Sequence, residues 1–380
     1  MSTIGSNWKY RCKAVLISIR PVAWVVAWLT RTSPRIFMFH RFCAFPHGPT
    51  DRVDGKTFEW ILSTLSRGWR VITLRDYLRS PSGAASTQHY VVVITVDDGY
   101  ADFYTIALPR LTAYGMRATI FPVISFLDGK SLWWDRLRRI LQSTQVSYAT
   151  GEMLGEELVL NLSSPLERSM TYSKLNAALL SLDNENRSRV LARLSQLLKV
   201  ETMEIPGPDE QPLTWTQIQE IHTLGHEVGS HTYSHPNLTQ LSREDLSEDV
   251  RASKERLEAF LGTQVLSLAY PNGRLCDVNQ SVMEEIRSAG YARAVLAYLV
   301  PNGAQDPLFL PRMAVTRDRV DLLWKLYGFE VLSLSIREYL ATLAKRVSTL
   351  LSIRGRNPLR VPPGTILTRS SPPSEKLRGP

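Results

Sequence analysis

The sequence predicts an α/β fold assembled from parallel strand–helix units. Three observations carry this. Short β-branched runs alternate with segments of helical spacing along most of the chain. One run, residues 91–96 (VVVITV), is β-branched throughout and apolar but for Thr95, as strands covered on both faces are. It ends in two adjacent carboxylates, Asp97 and Asp98, followed by Gly99. Neighbouring carboxylates at the end of a buried strand need partners, because an uncompensated buried charge is costly. A divalent metal on one would leave the other to act as a base.

Composition sets the outer bounds. Of 380 residues, 44% are hydrophobic and 21% charged, the balance of a globular chain with a real core. Cys12, Cys43 and Cys276 are far apart, so neither a disulfide framework nor a cysteine zinc site is expected. The net charge of +9 is concentrated at the ends. Residues 1–50 hold seven Lys/Arg and no acid, and residues 354–380 hold six Lys/Arg and one Glu. The body between is therefore mildly acidic, which argues against a nucleic-acid partner. Basic ends suit an anionic membrane surface, with solvated tails as the plain alternative.

Taken in order, residues 14–29 are apolar but shorter than the about 20 residues of a membrane span, and Arg20-Pro21 interrupts them. No cleavage site marks a signal peptide. Trp24 and Trp28 share a helical face, so residues 1–33 are expected to include an interfacial helix in peripheral membrane contact, or else a core helix. Residues 36–40 read as a strand ending at His40, 56–67 as a helix, 70–74 as a strand, 76–78 as a short helix and 80–87 as a loop. The Asp-Asp strand follows, then a helix at 104–114 and a strand at 118–123. Residues 130–212 break the rhythm and read as a helical insertion containing Trp133 and Trp134, either a lid or a decoration. Alternation resumes with a helix at 216–224, a strand end at 227–231 and a charged helix at 242–261 stopped by Gly262. A strand at 265–270, a helix at 277–289 capped by Asp277, and strands at 292–298 and 310–316 complete a domain over 34–330. Residues 331–380 are expected to be a helix, with Ile336, Tyr339, Leu340 and Leu343 on one side, and a disordered basic tail.

The chemistry concentrates in two places. Residues 229–236 (GSHTYSHP) contain His231 and His235, four apart and so expected on one face of a helical turn. With Asp98 they make a His₂–carboxylate set that leaves positions open, suited to zinc or another divalent transition metal acting as a Lewis acid. No HExxH occurs, so a thermolysin-like protease is not expected. His222 and His226 read as surface residues, Trp215 as core, and Trp133 and Trp134 as packing for the insertion, with stacking on a ligand ring as the alternative.

Together, the TVDDGY, SHTYSHPNL and AYPNG blocks, in this order and spacing, resemble the polysaccharide deacetylases (NodB-homology, carbohydrate esterase family 4) over residues 34–316. The resemblance implies a distorted (β/α) barrel of about seven strands. It implies Asp97 as general base, and Asp98, His231 and His235 as ligands of a divalent metal, zinc first, with Co²⁺, Ni²⁺ or Mn²⁺ as alternatives. The third block departs from the family's R-x-P-Y, because Ala269 stands in the arginine's place. Arg312 is the candidate to take over that role, and the Tyr270 backbone N–H is expected to serve as oxyanion donor. The family's late general-acid histidine is missing, since no histidine follows His235. Phe39-His40-Arg41 looks like the upstream motif of exopolysaccharide deacetylases of the poly-N-acetylglucosamine branch, which makes His40 the expected acid.

The implied activity is metal-dependent removal of N-acetyl groups from amino sugars of a polysaccharide or glycolipid. Alternatives are a deformylase of a lipid-linked amino sugar and a non-catalytic glycan-binding scaffold. The implied setting is the bacterial cell envelope or the cytoplasmic face of the inner membrane.

Overall fold

The computed structural model describes residues 4–33, 35–45, 52–79, 90–153, 155–201, 204–300 and 306–354. The loop expected at 80–87 and the tail expected after residue 354 lie outside them. The chain divides into Met1–Leu334 and Ser335–Pro380. Of the second unit, the described part is helical, and Ile336, Tyr339, Leu340 and Leu343 are all exposed.

In the first unit the strands are β1 (Arg35–Phe39), β2 (Arg41–Cys43), β3 (Arg52–Asp54), β4 (Trp69–Ile72), β5 (Tyr90–Asp98) and β6 (Thr119–Pro122). They continue as β7 (Tyr148–Met153), β8 (Glu156–Asn161), β9 (Glu227–Val228), β10 (Ser267–Ala269), β11 (Arg293–Val295) and β12 (Met313–Ala314). A parallel sheet runs β12-β1-β5-β6-β9. β4 pairs the start of β5 along the edge that β6 takes further on. β10 pairs β11 in parallel. Single bridges, Ser230 to Leu268 and Val295 to Leu310, join β9 to β10 and β11 to the approach of β12. The ring therefore closes through seven strands, and it is distorted because two of its seams are single bridges.

The two-residue period of β5 sorts its side chains. Val92, Ile94 and Val96 pack in the main core against the surrounding helices. Val93 joins Ile36, Phe121, Ala269, Val295 and Leu310 in a second cluster. Asp97 is in register with Val93, whereas alternation would send Asp98 out with Val96. A φ of 72° at Asp98 breaks that alternation.

The helices have identifiable stops and starts. Ser242 caps Arg243–Leu261 by accepting from the Asp245 N–H, and Gly262 closes it at φ 65°. Asp277 is not a cap: Asn279 caps Gln280–Ser288, while Asp277 holds Arg274 in the preceding turn. The insertion is not all helical either. Helices Trp133–Ser143, Pro165–Leu179 and Asn184–Leu197 enclose the antiparallel hairpin β7–β8 around a separate core that includes Leu141, Leu160, Leu175 and Leu191. Helical periodicity on both sides hid the hairpin, whose turn uses Gly155 at φ 78°.

At the N-terminus, helices Ile4–Ser18 and Arg20–Leu29 meet at a bend of 90°. No single described helix is long and apolar enough to cross a membrane; this bent pair passes by length and composition only. Trp24 and Trp28 do not share one environment. Trp24 packs against Trp69, Tyr90 and Tyr327, whereas Trp28 is 54% exposed. Buried Arg35 fixes the pair to the barrel by donating to the carbonyls of Thr30, Ser33 and Leu326.

Gly229 marks a tight seam beside β9, against β6 and β10. A Cβ there would lie 2.4 Å from Phe121 Cε1 and 2.8 Å from the Ser267 carbonyl oxygen. Gly229→Ala should therefore cost about 1–3 kcal/mol through overpacking. The check is a urea unfolding curve, and an unchanged midpoint would refute the reading of this seam.

Candidate active site

The site residues come from the ends of successive barrel strands, where barrel enzymes place their chemistry. His40 follows β1, Asp97 and Asp98 end β5, His231 and His235 follow β9, and Tyr270 and Asn272 follow β10. Arg312 is the exception. It lies on the N-terminal side of β12, and its side chain is almost fully buried. These residues line a cavity of about 280 Å³, together with Met38, Tyr100, Trp133, Trp134, Tyr172 and Ala297 among others.

Asp97 and Asp98, adjacent in sequence, have opposite surroundings. Arg312 grips Asp97 with two parallel bonds, Nη1 to Oδ1 and Nη2 to Oδ2, each 2.7 Å. Its Nη1 also reaches Thr95 Oγ1 at 3.1 Å, and its Nε donates to the Leu296 carbonyl at 2.6 Å. Burial by itself pushes the Asp97 carboxyl up. The Arg312 guanidinium, helped by His231 and His40, more than reverses this and holds it below the usual carboxylate range. His40 Nε2 lies 4.0 Å from Asp97 Oδ2. Asp98 has no such clamp. Burial, then the charges of Asp97 and Asp135, push its carboxyl well up.

His231 Nε2 lies 3.6 Å from Asp98 Oδ1, and the two histidine rings are 4.7 Å apart. One donor atom from each of Asp98, His231 and His235 falls within 4.8 Å of the others. Burial drives His231 down to about 4 and His235 well below the ordinary value, so both rings are neutral, the form that binds metal. His231 Nδ1 is 2.8 Å from the Ala269 carbonyl; as a donor there it leaves Nε2 as the ligand atom. His235 Nδ1 is buried with no hydrogen-bond partner. Neutral imidazoles, an orphaned ring nitrogen and a carboxylate short of positive charge together fit a divalent cation.

The histidines are not on a helical turn, as the four-residue spacing predicts. They sit on a bent loop with Thr232 at φ 68° and His235 at φ 52°. Asp249, from helix Arg243–Leu261, holds the loop by accepting from the N–H groups of Tyr233 and Ser234 at 2.8 and 3.1 Å. Among the described residues, five non-glycines have positive φ, and Asp98, Thr232, His235 and Asn272 are four of them. Such strain gathers where a site over-determines its backbone.

Two sequence expectations change. The Tyr270 N–H is not an available oxyanion donor, because it bonds the Val295 carbonyl at 3.1 Å, and the Tyr270 hydroxyl bonds the Leu308 carbonyl. Counting along R-x-P-Y from Ala269 puts Asn272 at the fourth position instead. Asn272 lines the cavity, and its Nδ2 is buried without a partner. His226 is buried rather than on the surface, with Nδ1 accepting from the Ala118 N–H at 3.0 Å. Trp215 is only partly buried, at the margin of the core.

Sequence reasoning also missed a buried network beside the cavity. The Tyr100 hydroxyl donates to Asp135 at 2.5 Å and accepts from Trp134 Nε1 at 2.9 Å, which sets the Trp134 ring against His235 at 4.7 Å. Arg41 lies over the Tyr100 ring and pairs with Asp102. Tyr100 and Asp102 adjoin the Asp-Asp motif, but Trp134 and Asp135 come from helix Trp133–Ser143, so no local pattern in the chain signals the network.

The fold and site thus define a class: a closed βα barrel presenting an arginine-held carboxylate beside a His₂–carboxylate donor set, the equipment of a hydrolase. Residues 84–149 and 184–294 match the family model described as polysaccharide deacetylase, and the match supports assigning this barrel to that family of amide hydrolases. A curated relative, YxkH of Bacillus subtilis (strain 168), assigned to the polysaccharide deacetylases by name only, is 34% identical over 110 residues. That alignment covers 28% of this chain, and the chain spans 37% of that relative's length. The structure of Streptococcus pyogenes deacetylase PplD in complex with acetate has a TM-score of 0.51 at 18% identity, covering 77% of this chain and 97% of that one. It shares the fold. The structure of IcaB from Ammonifex degensii has a TM-score of 0.49 at 19% identity, covering 78% and 97%.

Removing Arg312 would strand a buried carboxylate, a loss of about 3–5 kcal/mol. Arg312→Ala should lower the unfolding midpoint accordingly, and adding Asp97→Asn should recover part of the loss. Additive effects in this double-mutant cycle would contradict the pairing.

Proposed function

We propose that this barrel hydrolyses the N-acetyl group of amino sugars in a polysaccharide or glycolipid, with a divalent cation, zinc in the first place, held by Asp98, His231 and His235. The observation that carries the reading is Asp97. It is kept ionised by Arg312 at the rim of the donor set, with His40 on its other side. The two-histidine, one-carboxylate set suits zinc, and Co²⁺, Ni²⁺ or Mn²⁺ less specifically. Bound there, the cation would act as a Lewis acid on the acetyl carbonyl and lower the pKa of water.

The chain's own residues do the rest. Asp97 spends one lone pair of each oxygen on Arg312, and the remaining ones can accept the proton of the attacking water. Arg312 keeps that carboxylate oriented toward the cavity. Asn272 offers a buried amide donor for the oxyanion of the tetrahedral state. His40, partly open to solvent, is placed to hand a proton to the departing amine. Trp134 and Met38 supply apolar lining beside these groups.

Asp97→Asn should retain the cation and lose about 10²–10⁴-fold in turnover, the typical weight of a general base. His231→Ala should lose both. Metal content by atomic absorption and acetate release from N-acetylglucosamine oligomers check this, and a fully active Asp97→Asn protein would sink the assignment. Cation binding without acetate release, but with formate release from an N-formyl amino sugar, would favour the deformylase reading. Cation binding with neither would favour a glycan-binding scaffold.

The same proposal places the enzyme peripherally on an anionic membrane, at the bacterial inner membrane or in the envelope. Val15, Ile19, Val22, Val25, Trp28 and Leu29 are exposed along the N-terminal helices and their bend, and residues 1–33 hold five basic residues and no acid. Arg31 lies over the exposed Trp28 ring, 4.5 Å from its centroid. The full chain should co-sediment with vesicles containing phosphatidylglycerol and much less with pure phosphatidylcholine. Val25→Ser with Trp28→Ser should reduce that binding several-fold. Equal binding to both vesicle types would dispose of the electrostatic part.

A further inference from the structure

The insertion supplies a wall of the cavity that the chemistry does not use. Trp133 and Arg138 line it from helix Trp133–Ser143, and Tyr172 and Asn176 line it from helix Pro165–Leu179, with Leu180 just beyond. Tyr172, Asn176 and Leu180 are spaced four apart, so they share one helical stripe. The neighbouring stripe of Thr171, Leu175 and Leu179 is buried in the insertion's own core. Residues 150–183, which include that helix, fall between the two segments matched by the family model. The catalytic set is barrel-borne; this stripe is not.

The wall is fixed against the metal-site loop. The Leu180 carbonyl accepts from Arg187 Nη2 at 3.3 Å, Arg274 Nη2 at 3.4 Å and Asn237 Nδ2 at 3.5 Å. Buried Arg187 also donates to the Leu179 carbonyl at 2.8 Å and to the His235 carbonyl at 3.4 Å, and lies over the Trp133 ring at 5.0 Å. Asn184 Nδ2 donates to Ser234 Oγ at 3.0 Å. Insertion and histidine loop therefore form one hydrogen-bonded body, which fits a built binding surface and not a free lid.

From this we propose that Tyr172 and Asn176, backed by Trp133, form a subsite for a second sugar ring linked to the one that loses its acetyl group. This rests on the amino-sugar reading above. A phenol, a carboxamide and an indole are the groups that read a pyranose: two hydrogen-bond to its hydroxyls and the third covers its apolar face. All three are partly exposed. The ligand class is an oligomer of N-acetylated hexosamine, in preference to a free monosaccharide.

The test compares N-acetylglucosamine with its β-1,4-linked trimer. Calorimetry on the full-length Asp97→Asn protein gives affinities without turnover, and steady-state kinetics on the otherwise wild-type protein gives KM. The trimer should bind about tenfold more tightly than the monosaccharide, and Tyr172→Ala with Asn176→Ala should remove most of that advantage. In kinetics the same pair should raise KM for the trimer more than for the monosaccharide, with kcat changing less than KM. An equal loss for both sugars, an undiminished trimer advantage, or no trimer advantage at the start would each overturn the subsite. Absence of acetate release by the wild-type chain would instead count against the deacetylase reading, because the calorimetric comparison stands without it. Tyr172→Phe and Asn176→Asp, which keep shape and packing, serve as the second variants if the alanine pair unfolds.

Discussion

Everything at the head of this barrel depends on how the charge of Asp97 is answered. The carboxylate is 1% exposed and adjacent to a second buried carboxylate, so its ionised form survives only with a dedicated cation. Arg312 provides that cation with planar, two-point geometry that a lysine could not reproduce. Two of its three remaining N–H groups are used on Thr95 and the Leu296 carbonyl, so the guanidinium has little freedom to turn away. With Asp97 satisfied, Asp98 is the carboxylate left wanting positive charge. The division of labour between two neighbouring, chemically identical side chains thus follows from which one the arginine reaches.

Backbone geometry makes that division possible. Strict alternation along β5 would put Asp97 and Asp98 on opposite faces, and only the first could enter the cavity. The positive φ at Asp98 turns the chain where it leaves the sheet, and Gly99 follows at φ 93° with its missing Cβ against Pro122. The histidine loop is bent in the same manner and tied by Asp249 and Arg187 from two helices. Holding four strained residues in place costs of order 1–3 kcal/mol each, which the surrounding hydrogen bonds must offset. The benefit is a donor set already assembled, with little reorganisation left for cation or substrate binding to drive.

The sequence made some of this readable and concealed the rest for physical reasons. The β5 strand, the helix at Arg243–Leu261 with its Ser242 cap and Gly262 stop, and the convergence of Asp98, His231 and His235 were legible, because each has a local signature. The histidine loop was misread as helical, because a four-residue spacing carries no information about φ. Asn272 is hidden because the aromatic residue of the block is Tyr270, two positions earlier, and only counting along the motif reaches Asn272. The hairpin β7–β8 was lost between strong helical periodicities. Arg187 and Asp249 offered no signal, since each acts through a backbone group whose position exists only in the folded chain.

His40 and Arg312, which attend Asp97 from its two sides, lie 272 residues apart in sequence and both outside the segments matched by the family model. The fold explains why they arrive together. β1 and β12 are neighbours, with Phe37 opposite Met313 and Met38 opposite Ala314. His40 leaves one side of that seam and Arg312 enters the other. The seam is held by a two-residue strand, so the spacing of His40, Asp97 and Arg312 is set by the closure of the ring and not by any local motif. A site that draws His40 from the end of the first strand and Arg312 from the approach to the last cannot be assembled on a partial barrel. Assembly of the site is therefore coupled to complete closure, and the burial of Arg312, whose charge is tolerable only once Asp97 is in place, makes the closed ring and the Arg312–Asp97 pair one cooperative event.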